Sequence, residues 1–420
     1  MGHRRFEHRV HYGWVIVLTG AMALFSCLGL ARFAFGMILP SMGKALQLGY
    51  DQMGYIGTAN FVGYLLSVAL APRFLRRPGA RRTIAGALAL IGACLILIGR
   101  STTFATVLGL YFLTGLGTGL VNVPMMVLAG QWVSRTLRGR AIGCMATGNG
   151  VGIIFSGFVV PAFNRGLGAE GWRTAWIVLG VLSLAISCVA ALLLRDSPSE
   201  MGLEPLGAGP PVPPAGVGAT PEPVDAVRIV VRLGVLYFLF GATYMIYGTF
   251  VVTSMVREYG LAEATAGRFW AWVGFFSLFS GPLFGALSDR IGRKWAIAAV
   301  FVVQTAAYAL AGARLGVPAL YGSVVLYGLA AWAIPTIMGA AVVDYLGPMR
   351  AAGAFSAITF FFAAGQTVGP AVAGWAAKAS QSFSLSFVFA ALLTTIGAVL
   401  AATLRPPHSA DSAPARVPAA

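Results

Sequence analysis

Twelve apolar runs, each long enough to cross a bilayer as a helix, follow one another along the chain. They lie near 12–37, 50–71, 82–99, 104–129, 139–163, 172–194, 228–253, 265–288, 294–313, 318–341, 350–376 and 383–404. A hydrocarbon core of ~30 Å is crossed by ~20 helical residues, so each run suffices. Strands of a membrane barrel would read as ~10-residue segments alternating apolar with polar, and these runs do not alternate. With 58% hydrophobic and 10% charged residues, the chain has too little polar surface to enclose such runs in a water-soluble core. The expected fold class is an all-α membrane protein. The basic start, Met1 to Arg9, resembles a secretory signal, but the run behind it is long and lacks a small-residue cleavage site, so it reads as an uncleaved first span.

The net charge of +16 would suit a nucleic-acid binder if the bases lay on one face. Instead they occur in short clusters between the spans. Counted on alternate sides, 20 Lys and Arg fall on the side of the N-terminus and 8 on the other, with Arg32 inside a span. An excess of Lys and Arg marks the cytoplasmic side, which predicts cytoplasmic termini, and the scattered clusters imply no nucleic-acid partner. Cys27, Cys94, Cys144 and Cys188 each stand alone in a different span. They have no metal-ligand spacing and read as small core hydrophobes, with neither metal nor cofactor implied.

Residues 195–227 carry eight prolines among Gly and Ala, an extended linker by composition. It divides the chain into a first bundle, 1–194, and a second, 228–404, followed by a disordered tail, 405–420. Gly79 and Gly292, Pro124 and Pro335, and Arg140 and Arg350 repeat at offsets of 213, 211 and 210 residues. One nearly constant offset predicts two six-helix bundles related by a pseudo-twofold, a transporter architecture.

Gly285, Asp289, Arg290, Gly292, Arg293 and Lys294 stand at the positions of the G-x-x-x-D-R-x-G-R-[KR] loop signature, and here the chain resembles the major facilitator superfamily. The resemblance covers essentially the whole chain and implies alternating access, with this loop as a conformational latch. In it Gly285 would permit close helix approach, while Asp289 would cap a helix or pair with an arginine. The first-half copy keeps Gly79 and its bases but has Arg76 where Asp is expected and Pro72 where Gly is expected. Within the superfamily, the segment around Arg32 with Pro40, Gly63 to Leu66 and Gly171 to Trp176 look like the bacterial YbfB/YjiJ-like branch. Asp196-Ser197-Pro198 followed by Gly202 to Pro205 is similar to oxalate/formate and monocarboxylate porters. Span four lacks the arginine motif of proton-linked drug antiporters.

Arg32 is the deepest charge in the sequence. A guanidinium at such depth costs at least ~2.5–3.5 kcal/mol unless it meets a partner or a wet cavity. In the superfamily the first helix of each three-helix unit lines the cavity, and α-helical spacing puts Phe25, Gly29, Arg32 and Gly36 on one face. Arg32 is therefore expected to recognise a carboxylate. The competing expectation is that it snorkels outward, because it lies about five residues (~8 Å) inside the end of its run. The repeat puts Thr243 and Tyr244 at the corresponding place in span seven, where Tyr237, Phe240, Tyr244 and Tyr247 share a face. Asn122, Asn149 and Gln366 are polar groups at depth that need hydrogen-bond partners; Asn60, Tyr64 and Trp332 are weaker candidates.

All thirteen acidic residues lie in loops or at span ends, and the histidines lie outside the spans. Transport would then run through Asp51 or Asp344 with a proton, through co-bound substrate charge, by exchange for another anion, or by facilitated diffusion. No nucleophile–base constellation predicts an enzyme or a catalytic residue. The expected function is transport of a small organic anion of monocarboxylate type by a lipid-embedded monomer. The alternatives are a carrier or efflux pump for a neutral or amphiphilic solute and, in a different class, a membrane sensor or a membrane-embedded enzyme.

Overall fold

The computed structural model describes residues 11–207 and 223–404. The expected tail and the central part of the expected linker, 208–222, lie outside the described residues.

Among the described residues regular structure is helical, apart from an isolated bridge between Val133 and Leu206. In a bilayer every backbone polar group must be satisfied within its own segment, so apolar runs of this length become helices. The first half comprises spans 1 to 6: Tyr12–Ala45, Tyr50–Arg76, Gly79–Arg100, Phe104–Trp132, Arg135–Leu167 and Gly171–Leu193. The second comprises spans 7 to 12: Pro223–Arg257, Glu263–Ile291, Arg293–Gly312, Val317–Leu346, Pro348–Ser380 and Ser384–Ala402. Among the described residues eleven continuous segments are long and apolar enough to cross a membrane, and one of them, Thr136–Leu193, turns at the short 3-10 helix Gly168–Glu170 and contains spans 5 and 6.

The pseudo-twofold is visible in which helices touch. In the first half span 1 packs on span 5, span 2 on span 4 and span 3 on span 6; in the second, span 7 packs on span 11, span 8 on span 10 and span 9 on span 12. Between the halves span 2 meets span 11 and span 5 meets span 8. Each pair maps onto its counterpart by a shift of six spans. The result is two six-helix bundles with spans 1, 2, 5, 7, 8 and 11 along their junction.

Several expectations are corrected. Span 1 runs to Ala45 rather than residue 37, because the mixed stretch after it stays helical with Met42 and Gly43 buried against neighbours. Span 7 begins at Pro223, inside the expected linker. Residues 195–207 are docked on the first half: Trp132 Nε1 donates to the Arg195 carbonyl at 2.9 Å, and Leu206 N–H donates to the Trp132 carbonyl at 2.8 Å. Cys27 and Cys94 are buried as expected, whereas Cys144 and Cys188 are exposed on the outside of the helices and are not core residues.

Candidate substrate-binding site

Span 1 is not uniformly α-helical. Phe25–Phe33 winds as a π-helix between α-helical stretches, and Arg32 is its penultimate residue. Such i→i+5 windings are rare and frequent at functional sites. Span 4 holds this stretch by its carbonyls: Tyr111 Oη donates to those of Ala31 and Arg32 at 3.0 and 3.2 Å, and Thr118 Oγ1 donates to that of Cys27 at 3.2 Å. From span 6, Ser183 Oγ accepts from Ser26 Oγ at 2.9 Å.

The π-winding breaks the expected face. Phe25 stacks edge-on against Phe155 of span 5, and Gly29 lies against Gly152 of the same span. Gly36 turns to Gly248 of span 7. Arg32 points instead at span 2, its guanidinium carbon 4.8 Å from the Phe61 ring centroid and 4.6 Å from that of Tyr64. α-Helical spacing fails here because a wider turn rotates everything that follows it.

Arg32 does not snorkel. It is 7% exposed, and thirteen further residues of helix follow it to Ala45, about 20 Å. Its Nε and Nη2 find no hydrogen-bond partner among the described residues, and no ion pair there includes it. The two rings offset part of the burial cost, as cation–π contacts do. They leave the in-plane donors free, which is the edge a carboxylate engages.

Several sequence-predicted residues converge on this guanidinium. Tyr64, beneath it, accepts through Oη from Asn122 Nδ2 at 3.1 Å. Tyr244 of span 7 interacts with the Arg32 side chain and accepts from Gln366 Nε2 of span 11. Gln366 Oε1 is left without a partner. Asn60 Nδ2 donates to the Tyr111 carbonyl at 3.1 Å, and its Oδ1 is unpartnered. Arg32, Asn60, Phe61 and Tyr111 line a cavity of about 10 Å³, room for about one water, which Met245 and Thr249 of span 7 close. Span 10 breaks at Ala331 and Trp332, between Val317–Ala330 and Ala333–Leu346. The break sets the Trp332 ring 5.6 Å from Phe33 and 6.3 Å from Tyr244, with its Nε1 unpartnered.

Two candidates have other surroundings. Tyr247 turns into the second bundle, its Oη 2.8 Å from Ser323 Oγ and its ring stacked 4.0 Å from Tyr327. The aromatic stripe of span 7 therefore divides: Tyr237, Phe240 and Tyr244 stack on Phe362 of span 11, and Tyr247 does not. Asn149 is buried with Oδ1 unpartnered, on a stretch of span 5 whose neighbours Gly148 and Gly150 press against spans 1 and 8. Phe61, Tyr111, Met245, Thr249 and the π-winding carried no local pattern that would have singled them out. They are ordinary span residues until the helices pack.

At the ends opposite the arginine-rich loops the two bundles are joined. Lys378 Nζ reaches Asp51 Oδ2 at 2.9 Å, Asn164 Nδ2 donates to Glu263 Oε2 at 2.5 Å, and Thr58 Oγ1 donates to the Thr367 carbonyl at 2.8 Å. Asp51, one of the coupling candidates, is thus held in a contact between the two bundles.

Asp344, the other, lies near the end of span 10 and pairs with the loop that follows span 8. Arg293 Nε donates to Asp344 Oδ2 at 2.6 Å, and its Nη1 donates to Asp289 Oδ1 at 2.6 Å and Ser288 Oγ at 2.9 Å. Gly292 has φ +85°, which only glycine adopts without strain. Arg290 is exposed, and Lys294 lies 4.9 Å from the Trp295 ring. A Cβ at Gly285 would meet Thr336 Cγ2 at an ordinary 3.6 Å, so no close approach requires glycine there in this conformation. In the first half, the acid missing at Arg76 is supplied from elsewhere: Asp196, after span 6, accepts from the Arg81 N–H at 2.7 Å.

Two symmetric helix bundles closed at one end over a buried cation define a multi-pass membrane transporter for a small solute. The chain belongs to the major facilitator superfamily, in the family described as uncharacterised MFS-type transporter YbfB, which it matches over residues 24–402. It is 25% identical over 190 residues to the 4-hydroxybenzoate transporter PcaK of Pseudomonas putida, a match spanning 44% of this chain and 41% of that protein, less than half its length. It is 23% identical over 409 residues to human monocarboxylate transporter 11, covering 93% of this chain and 82% of that protein. Its fold superposes with a TM-score of 0.74 on an inward-facing, unoccupied bacterial homologue of the lysosomal transporter Spinster, at 15% identity over 94% of this chain and 97% of that one.

Proposed function

We propose that the protein moves a small organic anion of monocarboxylate type across the bacterial cytoplasmic membrane by alternating access. Spans 1 to 6, with the docked residues 195–207, and spans 7 to 12 are the two moving bundles. The observation that carries this reading is Arg32: a guanidinium 7% exposed, stacked on Phe61 and Tyr64, with two donors unpartnered. Removing one partner of a buried charge is strongly destabilising, so a carboxylate that completes the pair binds where a neutral solute gains little. Tyr244, Gln366, Tyr64 and Asn122 extend the contact on both bundles, so one ligand bridges the halves that must rock. Both relatives above are named for carboxylates. The arginine-rich loops are cytoplasmic, which makes the joined ends the outer gate and the conformation inward-facing. Coupling runs through a co-transported proton or an exchanged anion.

The test is a thermal-shift screen of the purified carrier against carboxylates, sugars and cationic drugs. A ligand that binds the native state raises its apparent stability, so monocarboxylates should raise the melting temperature and the other two classes should not. Stabilisation by sugars or cations with none by carboxylates overturns the reading.

A further inference from the structure

At the arginine-rich end of the molecule, spans 7 and 12 diverge and leave a groove of about 210 Å³. Its apolar wall is built from Val231, Val235 and Leu400, with exposures of 46%, 36% and 39%, over a floor that includes Leu404. Arg232 lines the groove at its rim. Arg228 precedes it by one turn on the same face, and both arginines are exposed. Among the described residues neither guanidinium pairs with a carboxylate.

We propose that this groove binds one anionic phospholipid. Its chemistry is layered as such a lipid is: two exposed cations at the helix end, where headgroups lie, and an apolar groove beside them, where acyl chains lie. Basic pockets between membrane helices recognise anionic headgroups in this way, each arginine adding an attraction that a net-neutral headgroup does not return. A zwitterionic lipid would fill the same groove and bring its ammonium toward two guanidiniums. The distinguishing term is therefore the headgroup charge, and the apolar groove turns a passing contact into a retained one.

Native mass spectrometry of the full-length carrier, delipidated and titrated with phosphatidylglycerol or phosphatidylcholine, tests this. The expected result is one tightly retained phosphatidylglycerol and weaker, unspecific phosphatidylcholine. In the double variant Arg228→Gln/Arg232→Gln that retention should fall at least about tenfold, in keeping with the loss of two interfacial arginines. Val235→Trp, which fills the groove and leaves both charges, should lose it as well. Thermal unfolding of each variant establishes that it is folded. Should either variant prove unfolded, the other decides alone, and the wild-type comparison of the two lipids stands independently. Equal retention of the two lipids by the wild-type protein, or undiminished phosphatidylglycerol in a folded variant, overturns the proposal. So does displacement of the lipid by millimolar inorganic phosphate, which would mark a plain phosphate site.

Discussion

Lys378 of the second bundle donates to Asp51 of the first, Nζ to Oδ2 at 2.9 Å, and so ties span 11 to span 2 across the junction of the molecule. Close by on the same two helices, Gly54 and Gly374 pack so tightly that a Cβ on Gly374 would meet Gly54 Cα at 3.0 Å. A tie between two bodies that must separate acts on the equilibrium between conformations more than on the fold.

Asp51→Asn and Lys378→Gln should therefore favour opening of this end. A single cysteine replacing Thr58, which hydrogen-bonds the Thr367 carbonyl across the junction, reports it in a background free of other cysteines. Its reaction with a membrane-impermeant maleimide should quicken several-fold in either variant. The exchanged pair Asp51→Lys/Lys378→Asp should return toward the original rate. Unchanged reactivity in both single variants would remove the pair from gating.

For Arg32 binding and stability should move in opposite directions. Arg32→Gln should weaken a carboxylate ligand by ~10- to 100-fold, the worth of a charge-assisted hydrogen bond of ~1.5–3 kcal/mol. Arg32→Lys should recover only part of that, because a point charge lacks the planar fork. Without ligand, Arg32→Met should melt at the same temperature as the parent or higher, since it removes a buried, unpaired charge. Isothermal titration and thermal unfolding of the same samples check both halves.

Gly29 and Gly152 touch backbone to backbone. A Cβ built on Gly29 would come within 2.7 Å of Gly152 Cα, whereas one on Gly86 meets nothing within 4 Å. Gly29→Ala should cost ~1–3 kcal/mol through overpacking, and Gly86→Ala should be neutral or stabilise by up to ~1 kcal/mol through helix propensity. Denaturant or thermal unfolding of the pair in detergent distinguishes them.

Asp196 holds the start of span 3 through the Arg81 N–H at 2.7 Å. Asp196→Ala should lower stability by ~1 kcal/mol, as lost helix caps do, and Asp196→Asn should keep most of it because the amide oxygen still accepts. Equal losses in the two variants would assign the effect to charge rather than to the hydrogen bond.

The spans, the half-repeat and the latch loop were legible because each is written locally. Apolar runs need no partner to become helices in lipid, and Gly292 with Arg293 carries its own backbone and charge requirements. The site was legible in part. Arg32, Tyr244, Gln366, Asn122, Asn60, Tyr64 and Trp332 stood out as polar or aromatic groups at depth, and packing joins them around one guanidinium. Tyr247 answered the same description but points into the second bundle, since spacing along one helix does not say which neighbour each side faces. The expected face of span 1 failed for a sharper reason: the π-winding of Phe25–Phe33 depends on hydroxyls that Tyr111 and Thr118 bring from span 4.

By itself, then, the sequence determined that this chain crosses a membrane as two related sets of six helices and that one of them carries a charge deep in an apolar run. Hydropathy and repetition are sums over neighbours in the chain, and they survive any arrangement of the helices. Only the tertiary structure decided that Arg32 turns to Phe61 and Tyr64 rather than along its α-helical face, that it meets Tyr244 from the other bundle, and that Asp196 supplies a missing acid. Those outcomes depend on contacts between residues far apart in sequence, where one changed turn of helix redirects every side chain beyond it.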